Sequence, residues 1–170
     1  MKNLTICILC LLATLVTFTA DAKKYKWVPG EMTEVYTTGQ GANRTQLVKA
    51  WAVAKSADKA IVKAKMDAVT AALFNGIGYD QSTHGMGVSN LPPLVKPEEY
   101  AANEKLFREF FKKGEFLKYV REVNSAYPSG ENNMKVDGGR RVGVNLVIDY
   151  PGLRKWLKEN NVTKGLGGHF

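Results

Sequence analysis

Residues 57–75 read Ala57-Asp58-Lys59-Ala60-Ile61-Val62-Lys63-Ala64-Lys65-Met66-Asp67-Ala68-Val69-Thr70-Ala71-Ala72-Leu73-Phe74-Asn75. Ala57, Ala60, Ile61, Ala64, Ala68, Ala71 and Ala72 recur at steps of three and four, the spacing of one face of an α-helix. Ser56 and Asp58 supply N-cap chemistry at the start, and Gly76 supplies the stop. A stripe made mostly of alanine carries little bulk, so the helix backbone can approach a sheet closely. The same stripe also suits a helix–helix assembly face, but packing within one chain is its commoner use.

Working outward, residues 46–55 alternate in the manner of a strand. Val48, Ala50, Ala52 and Ala54 fall on one side, and Leu47, Trp51 and Val53 on the other. Leu47, Trp51 and Ala54 also fit a helical period; the strand is preferred because helix-capping residues follow at once. Ahead of it, residues 23–45 form a basic lead-in with a short strand expected at 34–38. After the alanine helix, residues 76–94 hold four glycines and Pro92-Pro93, and no regular structure is expected there. A loop of that length tends to be functional, which makes it the first place to look for a site.

Pro97 followed by Glu98 and Glu99 opens a second helix whose buried face is Leu106, Phe107, Phe110 and Phe111, with Gly114 as its stop. Residues 116–125 lie between helix and strand; the alternation of Leu117, Tyr119 and Val123 with Phe116 and Val120 favours a strand. Residues 126–139 read as a polar turn region. Val142, Val144, Leu146 and Ile148 then share one face of a strand, and Pro151 begins a helix with Leu153, Trp156 and Leu157 inward. The order strand, helix, helix, strand, strand, helix predicts an α+β fold. Its small antiparallel sheet should have about three strands, with helices packed on one face.

Met1-Lys2-Asn3, an apolar run from Leu4 to Thr19 and the small-x-small triplet Ala20-Asp21-Ala22 match a secretory signal peptide. The expected organisation is a leader at 1–22, the lead-in at 23–45, a single α+β domain at 46–160 and a tail at 161–170. Cys7 and Cys10 both fall in the leader, so the exported chain has no disulfide and relies on its core, as bacterial periplasmic proteins often do. Ile6 and Leu9 precede these cysteines where a lipobox needs a small residue. The expectation is therefore a soluble periplasmic or envelope-associated protein with no transmembrane helix after cleavage.

The net charge is +8. It is compatible with an anionic envelope surface as partner, but a solvated basic exterior is the commoner reason for such a charge. The basic residues are dispersed and no nucleic-acid-binding signature accompanies them, so no nucleic-acid partner is expected. Only His84 and His169 are histidines. Asp80 and His84 share the glycine-rich loop with a metal-like spacing, but no cysteine or second ordered histidine joins them. No nucleophile elbow, zinc-protease, P-loop or dinucleotide motif is present. Glu98, Glu99, Glu104 and Glu109 stand beside lysines and arginines and read as surface pairing. Arg140 and Arg141 follow Gly138-Gly139 and are candidate anion contacts.

Ala57-Asp58-Lys59-Ala60, Ala64-Lys65-Met66-Asp67-Ala68-Val69 and Leu73-Phe74-Asn75-Gly76-Ile77 are similar to the strand-then-alanine-helix opening of a bacterial envelope domain. That domain occurs in small lipoproteins and in the N-terminal region of flagellar assembly protein T. Gly114-Glu115-Phe116 with Tyr119-Val120, and Val142-Gly143-Val144-Asn145-Leu146-Val147-Ile148-Asp149, resemble its later strands. Leu153-Arg154-Lys155-Trp156-Leu157 resembles its closing helix. The chain departs from the pattern in carrying no lipobox and, as read, a single domain. The resemblance implies a non-enzymatic envelope module that assembles with other proteins; separately, no cofactor is expected. The partner-binding loop is expected to present Tyr79, Asp80, His84 and Met86. The alternative is a small-ligand or metal-assisted enzyme built on that same loop.

Overall fold

A computed structural model describes residues 25–30, 34–79, 89–124 and 126–163. The expected leader, Asp80, His84 and Met86 of the loop, and the end of the tail lie outside the described residues. Strands β1 (Val35–Gln40) and β2 (Gln46–Ala54) form a hairpin and lead into helix α1 (Ala57–Thr70). A π-helical turn, Ala71–Asn75, extends α1 before β3 (Gly78–Tyr79). Helices α2 (Pro97–Ala102) and α3 (Glu104–Lys112) follow, then a 3-10 turn at Glu115–Tyr119 and β4 (Val120–Glu122). A second hairpin, β5 (Asn133–Val136) and β6 (Gly139–Ile148), runs into α4 (Tyr150–Glu159).

The fold is α+β, with helices on one face of the sheet. The expected count of about three strands is corrected to six, in the order β3-β1-β2-β6-β4 with β5 also on β6. All pairs are antiparallel except β3 on β1. The extra strands are short. β3 has two residues, β4 three and β5 four, too few to establish a period in the sequence. β1 lies inside the segment read as a lead-in and supplies Val35 and Thr37 to the buried face.

Register explains the layering. β2 pairs with β6 from Gln46↔Ile148 to Ala54↔Arg140, so Val48 lies opposite Leu146, Ala50 opposite Val144 and Ala52 opposite Val142. These six side chains are at most 3% exposed. Ala60, Ala64, Ala68, Ala71 and Ala72 are fully buried, and α1 lies across β2 and β6. Alanine on the helix meeting alanine and valine on the sheet is the close approach that the stripe anticipates.

The end of α1 is held by a distant segment. A π turn leaves carbonyls unpaired within the helix, and the N–H groups of Leu94 and Val95 donate to Ala72 and Leu73 at 3.1 and 2.9 Å. Gly76 has φ +75°, and a Cβ there would stand 2.7 Å from the Leu91 carbonyl oxygen, so glycine is required. Residues 76–94 are therefore not wholly irregular: Ile77 bridges Leu91 and is 2% exposed.

Over the far side of α1 the aromatic residues close the core. Phe107, Phe110, Phe111 and Phe116 are at most 1% exposed. Phe107 meets Phe74 edge-on at 4.9 Å, and Trp156 of α4 meets Phe110 at 4.4 Å. Trp27 stacks on Phe111 at 4.4 Å and donates its indole N–H to Thr70 Oγ1 at 3.0 Å, so part of the lead-in also packs here. The helix expected from Pro97 breaks at Asn103 (φ −124°, ψ 19°) into α2 and α3. The strand expected at 116–125 begins only at Val120. Phe116 is drawn into the core through a 3-10 turn, with the Tyr119 carbonyl accepting from Asp149 N–H at 2.8 Å.

Ala64→Leu adds three carbons where α1 touches the sheet. It should cost about 1–3 kcal/mol by overpacking, read as a lower denaturant midpoint. An unchanged midpoint would place the stripe against solvent or a partner instead.

Candidate interaction face

The strand residues that point away from the helices make a second surface, and its rows follow from register. Leu47 lies opposite Val147, Lys49 opposite Asn145, Trp51 opposite Gly143 and Val53 opposite Arg141. β1 adds Tyr36 beside Lys49, β4 adds Arg121 beside Val147 and β5 adds Met134 beside Arg141. No described helix covers this face. Val53 is 41% and Met134 38% exposed, large apolar side chains that solvent reaches on either side of the Arg141 guanidinium. None of the outward positions of β2 and β6 is acidic, whereas Lys49, Arg121 and Arg141 are cationic.

Trp51 is the centre of the face. Its indole lies flat over Gly143, where an added Cβ would come within 2.8–2.9 Å of three ring carbons. Glycine here is a floor for the ring, since a side chain would lift it. The Arg141 guanidinium carbon stands 4.1 Å and the Lys49 ammonium 4.8 Å from the ring centroids. Such cation–π contacts contribute about 0.5–1 kcal/mol each at exposed sites. Glu34 ties the group together. Its carbonyl accepts from Trp51 N–H at 2.8 Å and its carboxylate accepts from Arg141 at 2.7 Å. The carboxylate is half exposed, so the pair orients the guanidinium more than it stabilises the fold. The result is a rigid aromatic platform with oriented cations, the residue types that anchor protein interfaces.

The structure separates the two arginines expected to act together. Adjacent strand residues point to opposite faces. Arg141 joins Trp51, while Arg140 turns the other way and is held by Asn133, through Nε to Oδ1 at 2.7 Å and through its terminal nitrogen to the carbonyl at 3.3 Å. Of the loop candidates, Tyr79 is half-buried in β3 and its N–H donates to Asn90 Oδ1 at 3.2 Å. Of the four helical glutamates expected to pair on the surface, two do: Glu104 with Arg108 at 2.6 Å, and Glu109 with Lys112 and Lys113 at 3.4 and 3.5 Å, while Glu99 accepts from Lys96 N–H at 2.9 Å at the start of α2. Trp51, Lys49 and Tyr36 are functional candidates that sequence reasoning missed. Part of the signal was present, because the alternation set Leu47, Trp51 and Val53 on the opposite side of the strand from Val48, Ala50 and Ala52, though not which side is buried.

Among the described residues five side chains have shifted titrations. Tyr100, Tyr119, Tyr127 and Tyr150 are pushed upward, first by burial, and Glu109 is pulled down, first by its hydrogen bond from Lys112. Among the described residues no group of three or more His, Cys, Asp or Glu side chains is placed to hold a metal ion, and no helix is long and apolar enough to cross a membrane. No protein-family model, curated protein or solved structure matches the chain.

Gly143→Ala should displace the Trp51 ring from the sheet and cost about 1 kcal/mol, the low end for overpacking because the ring has an open side. Acrylamide quenching of the Trp51 signal, taken as the difference from Trp51→Phe, should rise. Unchanged quenching would mean that the ring does not lie on Gly143.

Proposed function

We propose that this chain is an exported, non-enzymatic interaction module of a bacterial cell envelope, soluble once its leader is removed, which docks a protein partner on the uncovered face of its sheet. The observation that carries the reading is Trp51, lying over Gly143 between Lys49 and Arg141 on a face no described helix covers. The fit is to a partner whose contact surface is acidic around an apolar centre. Complementary charge speeds encounter and fixes register, and the aromatic platform supplies contact area without loss of side-chain freedom. The anionic envelope surface is a second partner of the same sign. The resemblance to the envelope domain of flagellar assembly protein T belongs to this reading, which extends it by naming the face that assembles.

Photo-crosslinking in intact cells tests it. A crosslinking residue at Val53 or Met134 should capture one envelope protein, and the same residue at Lys155 on the helical side should not. Trp51→Ala with Arg141→Ala should abolish capture from either position. The N-terminus of the envelope fraction should begin within about two residues of Lys23. Capture from Lys155 alone would move the site to the helices. Stoichiometric bound metal in the purified protein would favour the alternative enzyme built on the glycine-rich loop.

A further inference from the structure

A second site lies at one end of the sheet. Gln40 closes β1 and pairs with Gln46, which opens β2 and pairs with Ile148 at the end of β6. From Ile148 the chain turns through Asp149 into α4, which brings Tyr150, Pro151 and Arg154 beside the β1–β2 turn. Gln40, Arg44, Gln46, Tyr150, Pro151 and Arg154 line one groove of about 490 Å³, in the range of small-molecule sites. Among the described residues no carboxylate lines it. The neighbouring Asp149 carboxylate is turned into the start of α4, accepting from Gly152 N–H at 2.9 Å.

Two independent features mark the groove as more than a surface dent. Tyr150 is 6% exposed, and its buried hydroxyl has no hydrogen-bond partner among the described residues. Buried hydroxyls are nearly always paired, so an orphan in the wall of a groove calls for a partner there. The positive charge of Arg154 acts on the same phenol. The second feature is Arg44. Asn43 and Arg44 have φ +55° and +60°, the left-handed pair of a tight hairpin turn, where the second residue is ordinarily glycine. An arginine held in that conformation at a groove wall is strain of the kind that collects at functional positions.

We propose that this groove binds a phosphorylated polyol, its phosphate between the guanidinium groups of Arg44 and Arg154. The amides of Gln40 and Gln46 and the Tyr150 hydroxyl take the polyol oxygens. Guanidinium forks suit phosphate geometry, and glutamine amides both donate and accept, as hydroxyl groups require. The same chemistry is offered by a free sugar or glycerol phosphate and by a phosphoglycerol lipid headgroup. The groove shares no residue with the sheet face, so either proposal can fail alone.

Calorimetric titration of the exported chain with glycerol 3-phosphate, and flotation with phosphatidylcholine vesicles with or without phosphatidylglycerol, separates these sources. Saturable binding of glycerol 3-phosphate should weaken at least about tenfold in Arg44→Gly and in Arg154→Gln. Tyr150→Phe should weaken it severalfold. Arg44→Gly relieves the left-handed strain and Tyr150→Phe removes an unpaired hydroxyl, so neither should lower Tm, and lost binding is then not lost folding. Flotation that requires phosphatidylglycerol and is lost in the same variants assigns the ligand to the lipid headgroup. No binding of either probe, or binding unchanged in both arginine variants, overturns the proposal.

Discussion

The ladder between β2 and β6 is the constraint on which the rest of the molecule depends. It runs from Gln46↔Ile148 to Ala54↔Arg140, and every other strand of the sheet attaches to one of its two members or to β1 on its flank. Because strand side chains alternate, this one register decides both faces at once. Val48, Ala50, Ala52, Val142, Val144 and Leu146 are committed to the side that α1 covers. Trp51, Lys49, Val53 and Arg141 are thereby committed to the side that it does not. A slip of β2 by one residue would bury Lys49 and Trp51 under a helix with no room for them.

The two faces use opposite packing solutions. On the inner side small residues meet small residues, and bulk is supplied farther out by Phe107, Phe110, Phe111 and Trp156. On the outer side one large ring lies on a bare glycine, and the cations beside it are oriented by Glu34. The inner face accounts for a cooperative core in a domain whose described residues include no cysteine. The outer face buries Val147 but leaves Val53 exposed and Lys49, Trp51 and Arg141 half-buried, so its chemistry stays within reach of solvent.

The long elements were legible because their period is. The alanine stripe gave α1, the valine alternation gave β6, and Pro151 with Leu153, Trp156 and Leu157 gave α4. β5 was not legible as a strand. Asn133-Met134-Lys135-Val136 is short, polar and mostly exposed, and it pairs only because Asp137-Gly138 folds it back on β6. Phe116 was misplaced because core burial and a local 3-10 turn outweighed a weak alternation. Arg140 and Arg141 looked like one site because sequence adjacency conceals which face a strand residue takes. The groove at Arg44 and Tyr150 carries no sequence signal, since its walls come together only through the Gln40–Gln46–Ile148 register.

Native-state hydrogen exchange on the parent and on Trp51→Ser tests most directly whether the inner face alone holds the fold. The amides of Val48, Ala50, Val142 and Val144 should exchange slowest in the parent, by global opening. They should remain slower than the amides of β4 and β5 after the substitution, since the outer ring adds little to the core. If the substitution brought the β2–β6 amides down to the rate of β5, the outer face would be part of the structural core and the division of labour between the two faces would be wrong.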